Sequence, residues 1–177
     1  AKAAGILEPN AMTLATVRED GTPAARTVLL KEADERGFVF FTNYQSAKAA
    51  DLAAQPRATL VFPWLGLERQ VIISGEVAKV SREETEAYFK IRPSGSQLGA
   101  WASQQSTTVT DRATLEAKLE AVTERFAKEP ISAPPHWGGY RVAPTQIEFW
   151  QGRPNRLHDR LVFRRESDAW VVERLAP

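Results

Sequence analysis

The run WQGRPNRLHDR, residues 150–160, is the part of the sequence that most constrains the fold and the function. It holds three arginines and one of the chain's two histidines. In an extended segment, side chains alternate between faces, so Arg156, His158 and Arg160 are expected on one face. Two guanidiniums and an imidazole are costly to bury together without an anion. The run therefore predicts a site for a small, planar, negatively charged molecule, although a solvated edge strand or a charged surface turn explains the same composition.

Length and composition indicate one ordinary globular domain. The chain has 177 residues, 43% hydrophobic and 25% charged, so a single domain over residues 1–177 can bury a sizeable core. The 23 basic and 22 acidic side chains give a net charge of +1. This balance argues against a broad nucleic-acid or membrane surface, so any anion site must be a local cluster of basic residues.

Several kinds of site are disfavoured by what the sequence lacks. There is no cysteine, which excludes disulfides, thiolate metal ligands and cysteine nucleophiles. No apolar run reaches the roughly 18 residues of a membrane span, and no signal peptide is visible, so a cytoplasmic protein is the default expectation. His136 and His158 stand far apart without an acidic cluster, so no metal site is expected. Rossmann, P-loop and α/β-hydrolase motifs do not occur.

Residues 1–80 predict antiparallel β-structure. Runs rich in β-forming residues alternate with turns that contain Gly, Pro or Asp, which is the pattern of a meander. Pro56 ends a short predicted helix near Ala54. We expect a polar turn over residues 32–36 and strands over residues 12–18, 24–31, 38–42, 57–64 and 69–80.

The middle of the chain predicts helices, and its end predicts strands again. Ser81 and Glu84 have capping-box spacing, so a helix is expected over 81–91, with others over 96–103 and 111–128. Strands at both ends with helices between them indicate an α+β, mainly β fold, in which a barrel-like sheet has helices packed outside. The expected later strands cover residues 139–142, 146–150, 161–165 and 170–175.

Two basic clusters lie in the first third of the chain. Arg26 and Lys31 belong to one predicted strand, but their odd spacing puts them on opposite faces, and a solvated edge strand explains them as well. Thr42, Ser46 and Lys48 surround a predicted helix start, where N–H groups and the helix dipole favour an anion such as phosphate. Helix capping by Ser46 is the simpler alternative.

A third cluster lies at a helix junction, and a fourth is uncharged. Tyr88 and Arg92 lie four residues apart on one helix face, and Ser96 stands near the next helix start, so together they suit a phosphate. A tyrosine at the edge of the core beside a surface arginine is an equally simple interpretation. The fourth cluster consists of Gln70, Gln105, Ser106 and Trp150. Its amides can hydrogen-bond to the edge of a heteroaromatic ring and its tryptophan can pack beside that ring, although each member alone is more often structural.

Taken together, the sequence resembles one family, the pyridoxamine/pyridoxine 5′-phosphate oxidases. RLHDR after FWQG, with RPSGSQLGAWASQQS upstream, is highly specific. The resemblance implies the family's fold, an FMN-binding split β-barrel, and its assembly, a homodimer with two FMN sites at the subunit interface. The similar runs keep the family order over nearly the whole chain: EPNAMTLATV, ARTVLLK, GFVFFTN, LERQVIISG, YFKIRPSGSQLGAWASQQS, WGGYRV, IEFWQG, RLHDR and RLAP.

The resemblance also implies a cofactor site and a substrate site. The positions that match FMN contacts are Arg26, Thr27, Val28, Leu29, Leu30, Lys31, Phe41, Thr42, Lys48, Gln70, Gln105, Ser106, Trp150 and Arg160. Among them, Arg26 and Lys48 are implied at the FMN phosphate. The positions that match substrate contacts are Lys31, Tyr88, Arg92, Ser96, Arg156, Leu157 and His158. Arg156 and His158 are the implied catalytic residues, lying over the substrate ring beside the flavin.

The implied reaction converts pyridoxamine or pyridoxine 5′-phosphate to pyridoxal 5′-phosphate, a step of vitamin B6 metabolism. A hydride passes from C4′ of the substrate to N5 of FMN, and dioxygen reoxidises the flavin and yields hydrogen peroxide. The flavin supplies the redox chemistry, so the protein's task is to stack the two rings and hold C4′ near N5. Arg156 and His158 are expected to orient the substrate and stabilise charge, and neither is assigned as an obligatory base.

The sequence departs from the family at two positions. The family usually has Arg-Lys after the TN-x-x-S turn, whereas this chain has Ala47-Lys48, so one phosphate contact is missing. A lost charge-assisted hydrogen bond is worth roughly 1.5–3 kcal/mol if nothing replaces it, so a lower flavin affinity is expected. Arg153 replaces the second glycine of the family's Trp-Gln-Gly-Gly run, and we expect it to change the turn and add a charge near the ligand. The family also has an N-terminal segment that can cover the active site, and the matching runs begin after it.

Two other functions fit parts of the sequence. A split-barrel flavoprotein of another activity, such as a flavin reductase, keeps the FMN positions but not the five substrate positions Lys31, Tyr88, Arg92, Ser96 and Arg156 together, and all five are present here. A non-catalytic binder or carrier of pyridoxal 5′-phosphate or flavin is the second alternative. It stays open because Ala47 removes a phosphate contact and because the matching runs begin after the family's N-terminal segment. A flavin spectrum and turnover of pyridoxine 5′-phosphate under air distinguish these functions from the oxidase.

Overall fold

The fold is mainly β, as the sequence predicts. A computed structural model describes residues 1–167 and 169–177. Its strands are β1 (Ala11–Val17), β2 (Pro23–Leu29), β3 (Glu32–Asp34), β4 (Gly37–Asn43), β5 (Arg57–Trp64), β6 (Arg69–Lys79), β7 (Trp137–Gln151), β8 (Asp159–Glu166) and β9 (Ala169–Leu175). Its helices are α1 (Ala47–Ala54), α2 (Arg82–Lys90), α3 (Ser94–Ala102) and α4 (Arg112–Arg125).

The strands form one sheet in the order β2-β1-β5-β6-β7-β4-β3, and β8 pairs with β7 and β9. The pairings β1–β2, β1–β5, β5–β6, β7–β8 and β8–β9 are antiparallel. Strand β1 shows why this sequence forms a sheet, since Met12, Leu14 and Thr16 are buried and the residues between them are only partly buried. This period of two matches the alternation of side chains along a strand.

The described residues form two compact units. The first unit contains residues 1–40, 51–78 and 141–177, and the second contains residues 41–50 and 79–140. Strands β4 and β7 and helix α1 have residues in both. The single domain expected from the sequence stays a prediction.

Each unit has its own apolar core. In the first unit, the buried side chains come mainly from the sheet and include Met12, Leu14, Leu60, Ile73, Val142 and Val162. In the second unit, Phe89, Ala133 and Trp137 are buried, and partly buried hydrophobic residues pack against them: Phe41, Tyr88, Ala100, Trp101 and Ile131. Burial of such side chains is the main favourable contribution to folding.

Two strand predictions are wrong, and both errors concern how a strand meets its neighbour in the sheet. Residues 32–34 were expected in a turn but form β3, which pairs with β4. The strands expected over 139–142 and 146–150 are one strand, β7, which continues through Pro144. The neighbouring strand β6 has Gly75 at this point, where a Cβ would lie 2.0 Å from the Ala143 carbonyl oxygen. Glycine therefore allows the close approach that keeps β7 unbroken.

The helix predictions are confirmed with small shifts of their ends. Ser81 caps α2, and its capping box with Glu84 is complete. The Asp111 side chain accepts a hydrogen bond from the Thr114 N–H and so caps α4. Two leucines of α4 stay accessible, since Leu115 and Leu119 are 37% and 39% exposed. Among the described residues, no helix is long and apolar enough to cross a membrane.

Candidate functional site

A cleft of about 420 Å³ opens in the first unit, and this volume suits a small molecule. Three residues implied for ligand binding lie in its lining, namely Gln70, Trp150 and His158. Arg156, Leu157 and Arg160 belong to the same segment of the chain but do not line the cleft. The full lining is Pro63, Leu65, Glu68, Arg69, Gln70, Trp150, Gly152, Arg153 and His158.

Hydrogen bonds around Gly152 fix one side of this cleft. The Gly152 N–H donates to the Glu68 carbonyl at 2.7 Å. The Gln151 amide donates to the same carbonyl at 3.2 Å and accepts a hydrogen bond from Arg69 Nε at 2.6 Å. A Cβ on Gly152 would lie 2.8 Å from Glu68 Cβ, closer than side chains normally approach. The glycine of the WQG run is therefore required by the packing of the cleft.

The His158 ring is held by two neighbours that also line the cleft. Its centroid lies 4.7 Å from that of Trp150, with the rings inclined at 45°. The backbone N–H of Arg153 donates to His158 Nδ1 at 3.1 Å. Because a backbone N–H can only donate, Nδ1 must be unprotonated, and the neutral ring carries its proton on Nε2. His158 therefore offers a ligand one donor, its Nε2–H.

The segment before His158 is a turn, so the extended conformation expected there is wrong. Pro154–Arg156 form a 3₁₀ turn, in which Asn155 and Arg156 have φ values of 58° and 61°. Such left-handed conformations are unusual for residues with a side chain, and they end the alternation expected from a strand. Leu157 is 70% exposed. Arg156 is also exposed and makes no hydrogen bond or ion pair within the described part of the chain.

Arg160 is paired with a buried carboxylate. Its Nε lies 2.8 Å from Glu148 Oε1 and its Nη2 lies 3.1 Å from Oε2, which is a two-point contact. Its Nη1 donates to the Ala176 carbonyl at 3.2 Å. The hydrogen bond to Glu148, assisted by its charge, raises the pKa of the Arg160 guanidinium. One N–H on each terminal nitrogen is left over for a ligand, since a guanidinium carries five donors.

Arg26 lies on β2 in a network with a buried carboxylate. Its Nη1 donates to Thr16 Oγ1 at 2.6 Å, and its Nη2 donates to Asp51 Oδ2 at 3.2 Å. Thr16 Oγ1 donates to the same Asp51 oxygen at 2.6 Å. Asp51 is 7% exposed, so its charge requires such partners.

The other implied FMN positions of this run follow the alternation of β2. Val28 and Leu30 are partly buried, as is Arg26, whereas Thr27, Leu29 and Lys31 are exposed. Lys31 lies beyond the end of β2, and its N–H donates to the Val39 carbonyl at 2.8 Å. The alternation agrees with the expectation that Arg26 and Lys31 point to opposite faces.

In the second unit, four implied FMN positions come together around the start of α1. Lys48 is 8% exposed, and its Nζ donates to Thr42 Oγ1 at 3.1 Å, Ser46 Oγ at 3.2 Å and Gln105 Oε1 at 3.2 Å. The Ala47 N–H donates to Ser106 Oγ at 3.1 Å. A buried ammonium, hydroxyl groups and a helix N-terminus form a donor set that suits a phosphate.

Also in the second unit, Arg92 lies on aromatic rings. Its guanidinium carbon lies 4.4 Å from the centre of the Trp137 ring. Arg92 Nη1 is buried and has no hydrogen-bond partner among the described residues. Burial lowers the pKa of Arg92, and the interaction with Tyr88 partly opposes that shift. Tyr88 in turn stacks on Phe41, with ring centroids 4.1 Å apart.

A buried amide fixes the junction between α2 and α3 that carries Arg92. Gln97 is 9% exposed, and its Nε2 donates to the carbonyls of Phe89 at 2.9 Å and Arg92 at 3.1 Å. Ser96 precedes it in the first turn of α3 and is exposed. A carbonyl at a helix end needs a partner, and Gln97 supplies it.

Three residues that contact the predicted ligand-binding arginines were not predicted from the sequence. Glu148 contacts Arg160, Asp51 contacts Arg26, and Gln97 contacts the Arg92 carbonyl. The β7–β8 register places Trp150 opposite Arg160, and Glu148 lies two residues from Trp150 on the same face. Pairing the two predicted strands would therefore have brought Glu148 beside Arg160. Over the described residues, no three His, Cys, Asp or Glu side chains group closely enough to hold a metal ion.

Family models match nearly the whole chain. A model described as pyridoxamine 5′-phosphate oxidase matches residues 1–126, and one described as the pyridoxine 5′-phosphate oxidase C-terminal dimerisation region matches residues 137–177. A pyridoxine/pyridoxamine 5′-phosphate oxidase from Burkholderia lata is 59% identical over 180 residues, covering 100% of this chain and 84% of the relative. One of the same name from Pseudomonas paraeruginosa is 60% identical over 171 residues, covering 97% and 80%.

Solved structures share the fold. PhzG from Burkholderia lata, in complex with tetrahydrophenazine-1-carboxylic acid, has a TM-score of 0.94 and 30% identity, covering 100% of this chain and 87% of that one. A pyridoxamine 5′-phosphate oxidase-related, FMN binding protein from Nostoc punctiforme has a TM-score of 0.80 and 20% identity, covering 98% and 91%. These matches confirm the predicted split-barrel fold.

Proposed function

This chain belongs to the pyridoxamine/pyridoxine 5′-phosphate oxidase family, and from that premise we propose that it oxidises pyridoxamine or pyridoxine 5′-phosphate to pyridoxal 5′-phosphate, reducing dioxygen to hydrogen peroxide. The observation that carries the choice of a phosphorylated substrate is the buried Arg92 Nη1, which has no partner among the described residues. An unsatisfied buried donor costs free energy, and a substrate phosphate supplies the missing acceptor.

The substrate phosphate is proposed to bind Arg92, with Tyr88 and Ser96 as further donors, and Lys31 keeps its proposed role as a substrate contact. Contact with Trp137 supports the role of Arg92, because it places the guanidinium 4.4 Å from the ring centre and so restricts its position. At the substrate ring, the proposed residues are His158, Arg156 and Leu157. His158 can donate from Nε2, and Arg156 has no competing partner among the described residues.

FMN is the proposed cofactor, and the residues present fit its phosphate. The buried Lys48 ammonium, the hydroxyls of Thr42 and Ser106 and the first N–H of α1 lie together, and the oxygens of the FMN phosphate would replace the acceptors to which the ammonium and the N–H now donate. When bound, FMN supplies the acceptor for the substrate hydride and the route of electrons to dioxygen. The remaining FMN positions keep the proposed roles as contacts: Arg26, Thr27, Val28, Leu29, Leu30, Lys31, Phe41, Gln70, Gln105, Trp150 and Arg160.

The cofactor proposal has its own test, which is independent of turnover. FMN-free protein is titrated with FMN, and the quenching of flavin fluorescence gives the dissociation constant. Lys48→Met should raise that constant by about tenfold or more, because it removes a charged donor. Ala47→Arg restores the residue that the family usually has and should lower the constant. Equal constants in both variants and the unchanged protein would contradict the assignment of this cluster to the FMN phosphate.

We also propose a homodimer with FMN at the subunit interface. The match of residues 137–177 to the family's dimerisation region supports it. Several apolar side chains of that region are exposed in the single chain: Phe149 at 46%, Trp170 at 41% and Val172 at 52%. Light scattering should give twice the mass of one chain, and a single-chain mass at micromolar concentration would contradict the proposal. A cytoplasmic location stays a prediction.

The activity is tested with the purified, flavin-loaded protein under air. Pyridoxine 5′-phosphate should yield both pyridoxal 5′-phosphate and hydrogen peroxide in equal amounts. Pyridoxine without phosphate is the matched control and should react far more slowly, since it offers no partner to Arg92. If flavin binds but neither aldehyde nor peroxide forms, the oxidase activity is rejected in favour of a flavin-binding function. If both compounds react equally fast, the proposed phosphate site is rejected.

A further inference from the structure

Arg153 makes two hydrogen bonds to the segment that carries His158, one through its backbone and one through its side chain. Its backbone N–H donates to His158 Nδ1 at 3.1 Å. Its side chain Nε donates to Asp159 Oδ2 at 2.7 Å, and Asp159 is the neighbour of His158 in the chain. The first contact requires an unprotonated Nδ1 on His158, and the second links the two ends of the turn.

Asp159 is held in place from the other side as well. Its second oxygen, Oδ1, accepts a hydrogen bond from Arg174 Nη1 on β9 at 2.6 Å. The hydrogen bonds from Arg153 and Arg174 keep the pKa of Asp159 below its ordinary value, so it is charged at neutral pH. Arg153 is therefore attached through Asp159 to strand β9 of the sheet.

The backbone of the turn needs such an attachment. Asn155 and Arg156 both have left-handed φ values, a conformation that residues with side chains adopt at a cost. Closing a short loop at its two ends removes alternatives in which these residues relax. Arg153 itself is extended, with φ −142° and ψ 154°, which is ordinary for an arginine. The strain therefore lies between the two attachment points.

We propose that Arg153 is a positioning residue for His158. Its ion pair with Asp159 closes the turn, and its N–H then holds His158 as the Nε2–H tautomer beside Trp150, so that a hydrogen-bond acceptor on the ring of the bound substrate meets a fixed donor. The identity of that substrate rests on the proposed function, whereas the tautomer of His158 does not.

The tautomer is measured directly by nitrogen NMR of the histidine ring in the flavin-loaded protein. The chain has two histidines, so a His136→Asn variant assigns both ring signals. In the unchanged protein, His158 should show a protonated Nε2 and a bare Nδ1. Arg153→Gly should give averaged ring-nitrogen shifts, and Arg153→Lys, which keeps a cation for Asp159, should recover part of the original signal. A protonated Nδ1 in the unchanged protein, or identical shifts in Arg153→Gly, would overturn the proposal.

A double-mutant cycle tests whether Arg153 acts through Asp159. Arg153→Gly and Asp159→Asn should each raise KM by about fivefold, the effect of one ion pair, with FMN retained. The double variant should be no worse than the poorer single variant, because both remove the same link. Glu173→Gln is the matched control, since it removes the carboxylate of the Arg164–Glu173 pair elsewhere on the sheet and should leave KM unchanged.

The outcomes separate this proposal from the proposed function. Additive losses in the cycle, or an unchanged KM in Asp159→Asn, would overturn the positioning role. If the unchanged protein shows no turnover, the function is wrong, and the ring-nitrogen shifts of Arg153→Gly and Asp159→Asn still decide whether Arg153 positions His158. Thermal melting of each variant identifies any that fail to fold, and Arg153→Lys and Asp159→Asn, which change the least, then carry the test.

Discussion

The junction of α2 and α3 carries Arg92, whereas the β7–β8 turn and the start of β8 carry Arg153 and Arg160, and the two regions hold these arginines differently. At the junction, Arg92 lies on the Trp137 ring with a buried Nη1 that has no partner among the described residues. In the turn region, Arg153 is paired with Asp159, and Arg160 is held at two points by Glu148.

This difference indicates two uses of the same side chain. A buried donor without a partner costs about 1–3 kcal/mol, so it is expected to be kept only where a ligand satisfies it. An arginine that already faces a carboxylate has much of its charge balanced and contributes geometry instead. On the proposed function, Arg92 captures the substrate anion, Arg153 helps to fix the β7–β8 turn, and Arg160 presents its remaining N–H groups to FMN in a fixed orientation.

The largest effect is expected from Arg92→Met. It should raise KM for the phosphorylated substrate by about ten- to a hundredfold, the value of a charge-assisted hydrogen bond. Stability should change by less than about 1 kcal/mol, because the loss of the contact with Trp137 is offset by removal of the unsatisfied donor. Michaelis kinetics and thermal melting measure the two effects.

Arg82, at the start of α2, is the control for Arg92. Each of its three guanidinium nitrogens donates a hydrogen bond, to the Glu86 carboxylate and to the carbonyls of Pro134 and Ala133. Arg82→Met should therefore lower stability by about 1 kcal/mol and leave KM unchanged. If Arg92→Met proves as destabilising as Arg82→Met, with no effect on KM, then Arg92 is structural and the contrast fails.

Glu148→Gln tests whether the carboxylate of Glu148 holds Arg160 in place. The variant leaves Arg160 without its two-point carboxylate contact and should lower the free energy of unfolding by about 2 kcal/mol, with a weaker FMN affinity. Denaturant unfolding and FMN titration measure these changes. Normal stability together with stronger FMN binding would mean that Glu148 competes for Arg160 and does not position it.

Gly152→Ala tests the contact that shapes the cleft. The added Cβ would lie 2.8 Å from Glu68 Cβ, so the two backbone segments must separate. A loss of about 1.5 kcal/mol is expected from such overpacking, accompanied by a higher KM. Glycine at position 66 is a suitable control, because a Cβ there meets only Ile6 Cδ1 at 3.6 Å, and Gly66→Ala should change neither quantity.

The smallest effect is expected at Asn155. Its left-handed φ of 58° is tolerated by asparagine better than by alanine, so Asn155→Ala should cost about 1 kcal/mol. Asn155→Gly should be close to neutral, since glycine adopts this conformation freely. The same loss in both variants would point to the asparagine side chain and not to the backbone conformation.

The sequence predicts most of the fold because the strands follow a simple period. Strand β5 (Arg57–Trp64) has the predicted ends. Strand β1 starts and ends one residue earlier than predicted, and β6 ends one residue earlier. Strand β3 could not be predicted, since Glu32–Asp34 is short and polar and is a strand only through its pairing with β4. The unbroken course of β7 depends on Gly75, which lies on another strand.

The site could be predicted as a set of residues but not as a set of contacts. Residue types and the family resemblance name Arg92, Arg160 and His158, but they do not reveal which guanidinium is paired. That distinction depends on Trp137 and Glu148, which approach only after folding. Likewise, the tautomer of His158 follows from the backbone N–H of Arg153, and the sequence does not show to which acceptor a backbone N–H donates.

Recognition of the substrate phosphate by Arg92 can be measured as a ratio of two rates. The kcat/KM for pyridoxine 5′-phosphate is divided by that for pyridoxine, in the unchanged protein and in Arg92→Met. We expect a large ratio that falls by about ten- to a hundredfold in the variant, because only the phosphorylated compound loses a contact. An equal ratio in the two proteins would contradict the claim.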